Sequence, residues 1–275
     1  MLVISIQSQV VHGHVGNSAA VFPMQARGLT VAAVPTVLLS NHPRYPTVHG
    51  RVLEPELVAG LLRGVEERGL VDRASVLLSG YLGSVENAAV VAEFVARAKT
   101  RNPNLLYVCD PVMGDDDLGV FVASPLIDAF RDRLVPMASI ITPNQYELEL
   151  LTGRKARTAG MIGEAAALLR ARGTGEVVVT GCVLDDTAPD CVETIACTAA
   201  GLDRTSIERL PIRPYGTGDL FTALMVSQLC KGAGLTQACR GATAETLDVL
   251  RRTMACGSNE MQLIRWAADL PSQLS

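Results

Sequence analysis

A mostly parallel β-sheet with helices on both faces is the architecture that this 275-residue chain predicts. Short apolar or β-branched runs alternate with longer amphipathic stretches at the spacing of β-α-β units. An apolar content of 48% is ample for one large core, and no linker, repeat or composition break marks a second domain, so residues 1–275 read as a single domain. The expected strands are LVISI from residue 2, LTVAAVPTVLL from 29, SVLLSG from 75, NLLYVCD from 104, SIIT from 139 and EVVVTGC from 176. Between them, helical patterns fall at about 55–68, 85–101, 124–134 and 161–172, with apolar residues recurring at three and four. After residue 190 the pattern changes, because VETIACTAA and TSIERLPI follow one another without a helix and predict an antiparallel edge. Three helices, about 217–231, 236–255 and 259–269, close the chain.

Composition narrows the function. The formal net charge is -4, which provides no basic footprint for nucleic acid and no polybasic membrane patch, and leaves small molecules as the expected partners. The start lacks a basic leader, and no run of about 18 apolar residues occurs, so a soluble cytoplasmic protein is expected. Seven cysteines without a CxxC pair read as reduced thiols, mostly in the core. His12, His14, His42 and His49 have no cysteine or carboxylate cluster beside them, so loop histidines are expected rather than a zinc site.

Ligands of open α/β sheets bind outside the carboxyl ends of the strands. The residues just past the expected strands are Gln7 and Ser8 before HGHVGN, then SNHPRYP, Gly80 and Tyr81, Asp110, then Thr142, Asn144 and Glu147, and lastly Thr180 and Gly181. Any one such loop can be a plain turn; six together, with polar and glycine residues gathered at one rim, weaken that reading.

Within RPYGTGDLFTALMV, Gly216, Thr217 and Gly218 precede Asp219, and Leu220, Phe221, Leu224 and Met225 supply a buried helical stripe. Free amides at the positive end of that helix suit a phosphate or a transferring phosphoryl group. A Walker loop is excluded, because Lys99, Lys155 and Lys231 lie outside any GxxxxGK[ST]. Asp219 would repel a resting phosphate but suits phosphoryl arrival at an alcohol that must lose its proton. By spacing alone it reads equally as that base or as a helix cap. Transfer from a nucleotide also needs Mg²⁺ on one or two carboxylates, for which Asp110 and Glu147, directly or through water, are the candidates. Asp115, Asp116 and Asp117 read as a solvated loop, with Asp115 close enough in sequence to join.

GTGD opening a helix, with DPVMGD (110–115) and ITPNQYELELLTG (141–153) upstream, resembles the ribokinase superfamily. SQVVHGHVGNSAAVFPMQARG (8–28), TVLLSNHPRY (36–45), LSGYLGS (78–84) and YGTGDLFTALM (215–225) narrow the resemblance to its vitamin B6 kinases. It implies a ribokinase-like three-layer sandwich, a homodimer, and ATP-dependent phosphorylation of pyridoxal, pyridoxine or pyridoxamine in pyridoxal 5'-phosphate salvage, with Mg²⁺ and a monovalent cation such as K⁺. Position by position, it implies that Ser8 meets the polar atoms of the vitamer ring, Tyr81 packs on the pyridine face and His42 sits on a flap over the substrate. Asp110, Thr142, Asn144 and Glu147 match the ATP and metal positions, Thr180 a phosphate contact, Gly216 to Gly218 the anion hole and Asp219 the base.

Two departures stand out. Pro43 replaces a threonine that touches the vitamer in the family, removing a hydrogen bond and stiffening the flap. Thr180 stands where one branch has lysine. The segment DDTAPDC (185–191) is expected over the nucleotide. Two alternatives compete with the B6 kinase: a hydroxymethylpyrimidine kinase, which GYLG and SNH oppose, and a non-catalytic vitamer-binding protein, which intact Asp219, Asp110 and Glu147 oppose. A nicotinamide oxidoreductase is weaker, since HGHVGN is not GxGxxG.

Overall fold

The computed structural model describes residues 1–264. In chain order the elements are β1 (Leu2–Val10), α1 (Asn17–Gln25), β2 (Thr30–Leu39), β3 (Gly50–Val52), α2 (Pro55–Glu67), α3 (Leu70–Arg73), β4 (Ala74–Ser79), α4 (Val85–Arg101) and β5 (Leu106–Cys109). A small hairpin, β6 (Gly114–Asp115) and β7 (Gly119–Val120), leads to α5 (Ser124–Ala129), β8 (Ile140–Ile141), α6 (Gln145–Thr152), α7 (Ala159–Ala171) and β9 (Glu176–Cys182). The hairpin β10 (Cys191–Thr198) and β11 (Gly201–Glu208) then precedes α8 (Thr217–Cys230) and α9 (Leu235–Ala255).

Nine strands form one sheet in the order β11-β10-β9-β8-β5-β4-β1-β2-β3. The six strands from β9 to β2 run parallel, and β10 and β11 make the expected antiparallel edge. A second antiparallel edge, β3 on β2, was not legible in GRV, three residues too short to carry a period.

Alternate side chains enter two cores, because successive strand residues point to opposite faces. Ile4, Leu77, Tyr107 and Val179 face α2, α4, α6 and α7, where Leu62, Phe94, Leu148 and Ile162 are buried. Val3, Leu78, Val108 and Val178 face α1, α8 and α9, where Met24, Phe221, Leu224 and Ala242 are buried. These are the three layers the sequence predicts. Helix α4 starts where Ser84 accepts the Asn87 amide and ends on Lys99 and Arg101, while Glu86 lies in its first turn, charges that suit its two poles. The buried Asn87 side chain donates to the carbonyls of Thr36, Leu53 and Leu82 at 3.1 to 3.3 Å, tying the GYLG turn to β2.

The helix expected at 259–269 is not present over its described part, residues 259–264. There the Ser258 hydroxyl takes the Glu260 N–H at 3.0 Å and gives its proton to the Glu260 carbonyl at 2.8 Å, while Thr253 Oγ1 accepts the Gln262 N–H at 2.9 Å. Such local side-chain bonds compete with the helical ladder. Residues 265–269 lie outside the described residues. The second strand of the terminal hairpin ends at Glu208 rather than at 212, before the loop that leads to α8. All seven cysteines are free thiols, five of them buried; Cys191 is half-buried and Cys256 exposed.

Candidate active site

Gly216 makes the turn before α8 at φ +81°, in the left-handed region that favours glycine. A Cβ there would overlap the His14 carbonyl oxygen, so the turn closes tightly on the loop after β1. Because α8 starts at Thr217, the amides of Thr217, Gly218 and Asp219 have no acceptor within the helix and lie at its positive end. Gly218 is exposed, with nothing within 4 Å of where a Cβ would stand, which leaves the approach to those amides open.

Asp219 is not a cap. The N-cap of α8 is Gly216, and the backbone amide that acts on the Asp219 carboxylate is that of Gly16, in the loop after β1. Burial pushes its pKa up to about 6, with the Gly16 amide opposing the shift. Gly16, at φ +53°, lies so close to Ser8 that any side chain would collide with the Ser8 carbonyl and hydroxyl. Ser8, Gly16, Asp219 and the GTG turn therefore form one contact group.

Beneath Asp219, one helical turn on, Thr222 Oγ1 lies 3.4 Å from Asp110 Oδ2 and 3.1 Å from Thr142 Oγ1. Asp110 is buried at the end of β5, and its pKa stands well above the usual carboxylate range, from desolvation first and then from the charges of Glu147 and Asp219. Three carboxylates thus converge electrostatically. Glu147 is buried too and raised to about 8 by desolvation, although backbone amides lower it. Its Oε1 accepts from Met113 N at 2.8 Å and Gly114 N at 3.4 Å, and its Oε2 from Asn144 N at 2.9 Å. Asn144 Oδ1 accepts the Glu147 amide in return, a capping box that starts α6, and Asn144 Nδ2 donates to the Gly114 carbonyl at 2.8 Å. A backbone bridge sets Thr180 beside Asn144. Asp115 accepts the Asp117 and Leu118 amides, and its charge adds to the upward shift of Glu147, while Asp116 and Asp117 pair with Arg157 and Arg213.

Tyr81 follows β4 next to the end of β1: a Cβ on Gly80 would overlap the Gln7 amide oxygen, and Thr36 Oγ1 donates to the Tyr81 carbonyl at 2.7 Å. His42, in the segment between β2 and β3, stacks on Tyr215 with ring centroids 3.8 Å apart and planes 10° apart. Burial lowers its pKa, with Glu260 opposing, so the ring is neutral at neutral pH. The flap therefore rests on the residue immediately before GTGD. Every site residue expected from the sequence lies at the carboxyl rim of the sheet. Gly16, Thr222 and Tyr215 were missed, although Thr222, three after Asp219 on a helix, shares its face and was findable by spacing.

Among the described residues no cluster of three or more His, Cys, Asp or Glu side chains forms a cage for a cation. Mg²⁺ does not require one, since it commonly takes one or two carboxylates and completes its shell with phosphate and water.

The family model described as phosphomethylpyrimidine kinase matches residues 21–263. The pyridoxine/pyridoxal/pyridoxamine kinase of Bordetella avium is 41% identical over 259 residues, covering 94% of this chain and 88% of its own. The chain belongs to the pyridoxal kinase family. A pyridoxal kinase of Rubrobacter xylanophilus is likewise 41% identical, with 95% of this chain and 91% of its own covered. In three dimensions the pyridoxal kinase of Leishmania donovani, in complex with ADP and pyridoxine, matches at a TM-score of 0.87 and 28% identity, with 95% and 92% of the two chains covered. Family membership also names the fold, a ribokinase-like sandwich.

Proposed function

We propose that this enzyme transfers the γ-phosphoryl group of ATP to the 5'-hydroxymethyl group of a B6 vitamer: pyridoxal, pyridoxine or pyridoxamine. One observation carries the reading. Asp219, a carboxylate held at a pKa of about 6 by burial, stands beside three unpaired amides at the start of α8. The amides stabilise charge on the transferring phosphoryl group, and Asp219 orients and deprotonates the attacking hydroxyl. Ser8, His42 and Tyr81 hold the vitamer; Thr142, Asn144 and Thr180 border the nucleotide. Relatives named pyridoxal kinase, one of them seen with ADP and pyridoxine, support both substrates.

Mg²⁺ bound between the phosphates would neutralise their charge. Asp110 is the residue that would hold it. Glu147, with both oxygens already accepting amides, would contribute through water. A monovalent cation, K⁺, follows from the resemblance alone. The exposed Leu38, Val52, Leu57 and Leu61 around β3 and the start of α2 support a homodimer, to be checked by sedimentation. Seven unpaired cysteines support a reducing, cytoplasmic setting.

The deciding experiment offers purified protein ATP, Mg²⁺ and K⁺ with each vitamer and with hydroxymethylpyrimidine, and identifies products by mass. Phosphorylation of a vitamer is expected. Turnover of the pyrimidine alone, as the name of the family model allows, would overturn the reading. Because the base must be ionised, kcat/KM for the vitamer should rise about tenfold per pH unit below about 6 and level off above it. A profile flat from pH 5 to 8 would remove Asp219 from that role.

A further inference from the structure

Glu260, just past α9 and outside the reaction centre, ties together the two segments that form the acceptor side. Its Oε1 accepts a 2.7 Å hydrogen bond from the Tyr45 hydroxyl of the flap. Its Oε2 accepts the His14 N–H at 3.2 Å, with His14 Nδ1 3.7 Å away. Burial lowers the His14 pKa, so this is a neutral imidazole beside a carboxylate rather than an ion pair. Glycine at 13 makes room, since a Cβ there would stand 2.9 Å from both Glu260 oxygens. The His12 ring meets Tyr45 edge-on at 5.9 Å and adds a second contact between flap and loop.

Both tied segments lead to the chemistry. The His14 carbonyl packs against Gly216, and two residues on, the Gly16 amide reaches Asp219. On the flap, His42 stacks on Tyr215, the neighbour of Gly216. Glu260 thus holds two levers that end on the same turn.

We propose that Glu260 is a positioning residue: it fastens the flap to the loop 12–16, so that closure over the acceptor and alignment of Asp219 happen together. This rests on the phosphoryl-transfer reading above. A carboxylate accepting from both a hydroxyl and an amide suits the task, because charge-assisted hydrogen bonds are shorter and stronger than neutral ones. The same acceptor also makes the two segments energetically dependent on one another.

The test compares full-length wild type, Glu260→Ala, Glu260→Gln and Tyr45→Phe on whichever acceptor the wild type phosphorylates. Glu260→Ala should raise the acceptor KM on the order of tenfold and lower kcat several-fold, with the ATP KM within about twofold. Tyr45→Phe should raise the acceptor KM and spare kcat, since only the flap is released. Glu260→Gln, which keeps one acceptor oxygen but meets the other donor with an N–H, should recover only part of the loss. Adding Tyr45→Phe to Glu260→Ala should change the acceptor KM no further. Unchanged kcat and acceptor KM in Glu260→Ala, or equal rises in both substrates' KM, would overturn the proposal. If Glu260→Ala fails to fold, Tyr45→Phe decides: an acceptor-KM rise at constant Tm supports the fastener, and no rise sinks it. A wild type inactive on all four acceptors refutes the functional reading instead. The fastener is then read from trypsin cleavage after the exposed Arg44, faster in Tyr45→Phe if it holds and unchanged if it does not.

Discussion

Asp219→Asn should lower kcat by roughly 10² or more while vitamer binding stays within a few fold, the usual scale for losing a positioned base. The same substitution should raise the melting temperature at pH 7.5. The pKa in the folded chain, about 6, lies above the ordinary value of 3.8, so the native state favours the protonated form. Stability from that carboxyl is full below pH 4 and is lost as pH rises through 6; at neutral pH the charge on this half-buried group costs at most about 3 kcal/mol, less as solvent screens it. Asparagine carries no charge to bury and can still accept the Gly16 amide. A gain in Tm together with a collapse in kcat is a signature that a helix cap would not give, because losing a cap lowers both. Unchanged turnover would reduce Asp219 to a structural residue.

Gly216→Val and Gly218→Val should both abolish most turnover, for different reasons. At 216 a side chain must adopt φ +81° and displace the His14 carbonyl, so the turn, the loop 12–16 and the fold suffer together. The backbone conformation alone costs about 1–3 kcal/mol for a non-glycine residue, and a lowered Tm should accompany the loss. At 218 a Cβ meets nothing within 4 Å, so the protein should melt normally while its side chain fills the space through which phosphate reaches the amides. Activity and melting curves on both variants separate the two cases. Near-normal turnover in both would rule out the anion hole.

The strand-helix alternation was legible because parallel strands buried on both faces are short apolar runs set between amphipathic helices. Helix α1 was less visible. Pro23 lies inside it, against the usual helical pattern, and its buried face includes Ala19, Ala20 and Met24 rather than several large apolar residues. For the site, strand ends pointed to Asp110, Thr142, Asn144 and Glu147, since topology alone brings those loops to one rim. What spacing could not reveal was contact between distant segments. Whether Asp219 caps or titrates depends on Gly16, some two hundred residues earlier, and Glu260 sits in a stretch whose pattern reads as helix. Side-chain bonds from Ser258 and Thr253, invisible to periodicity, set the backbone there.

The packing of α1 against α8 bears on how the chain is made. Strand β1, synthesised well before α8, pairs with β2 and β4, yet the α1 layer of the core waits for Phe221, Leu224 and Met225. A ribosome must release everything from β2 through α8 before that surface is covered, and more before Glu260 arrives. Until then the growing chain carries an open apolar face, a target for chaperones and for misassembly with its own neighbours on a polysome. The catalytic turn is thus among the last parts to form, and a truncated product, however much of the sheet it has built, reaches the cell inert.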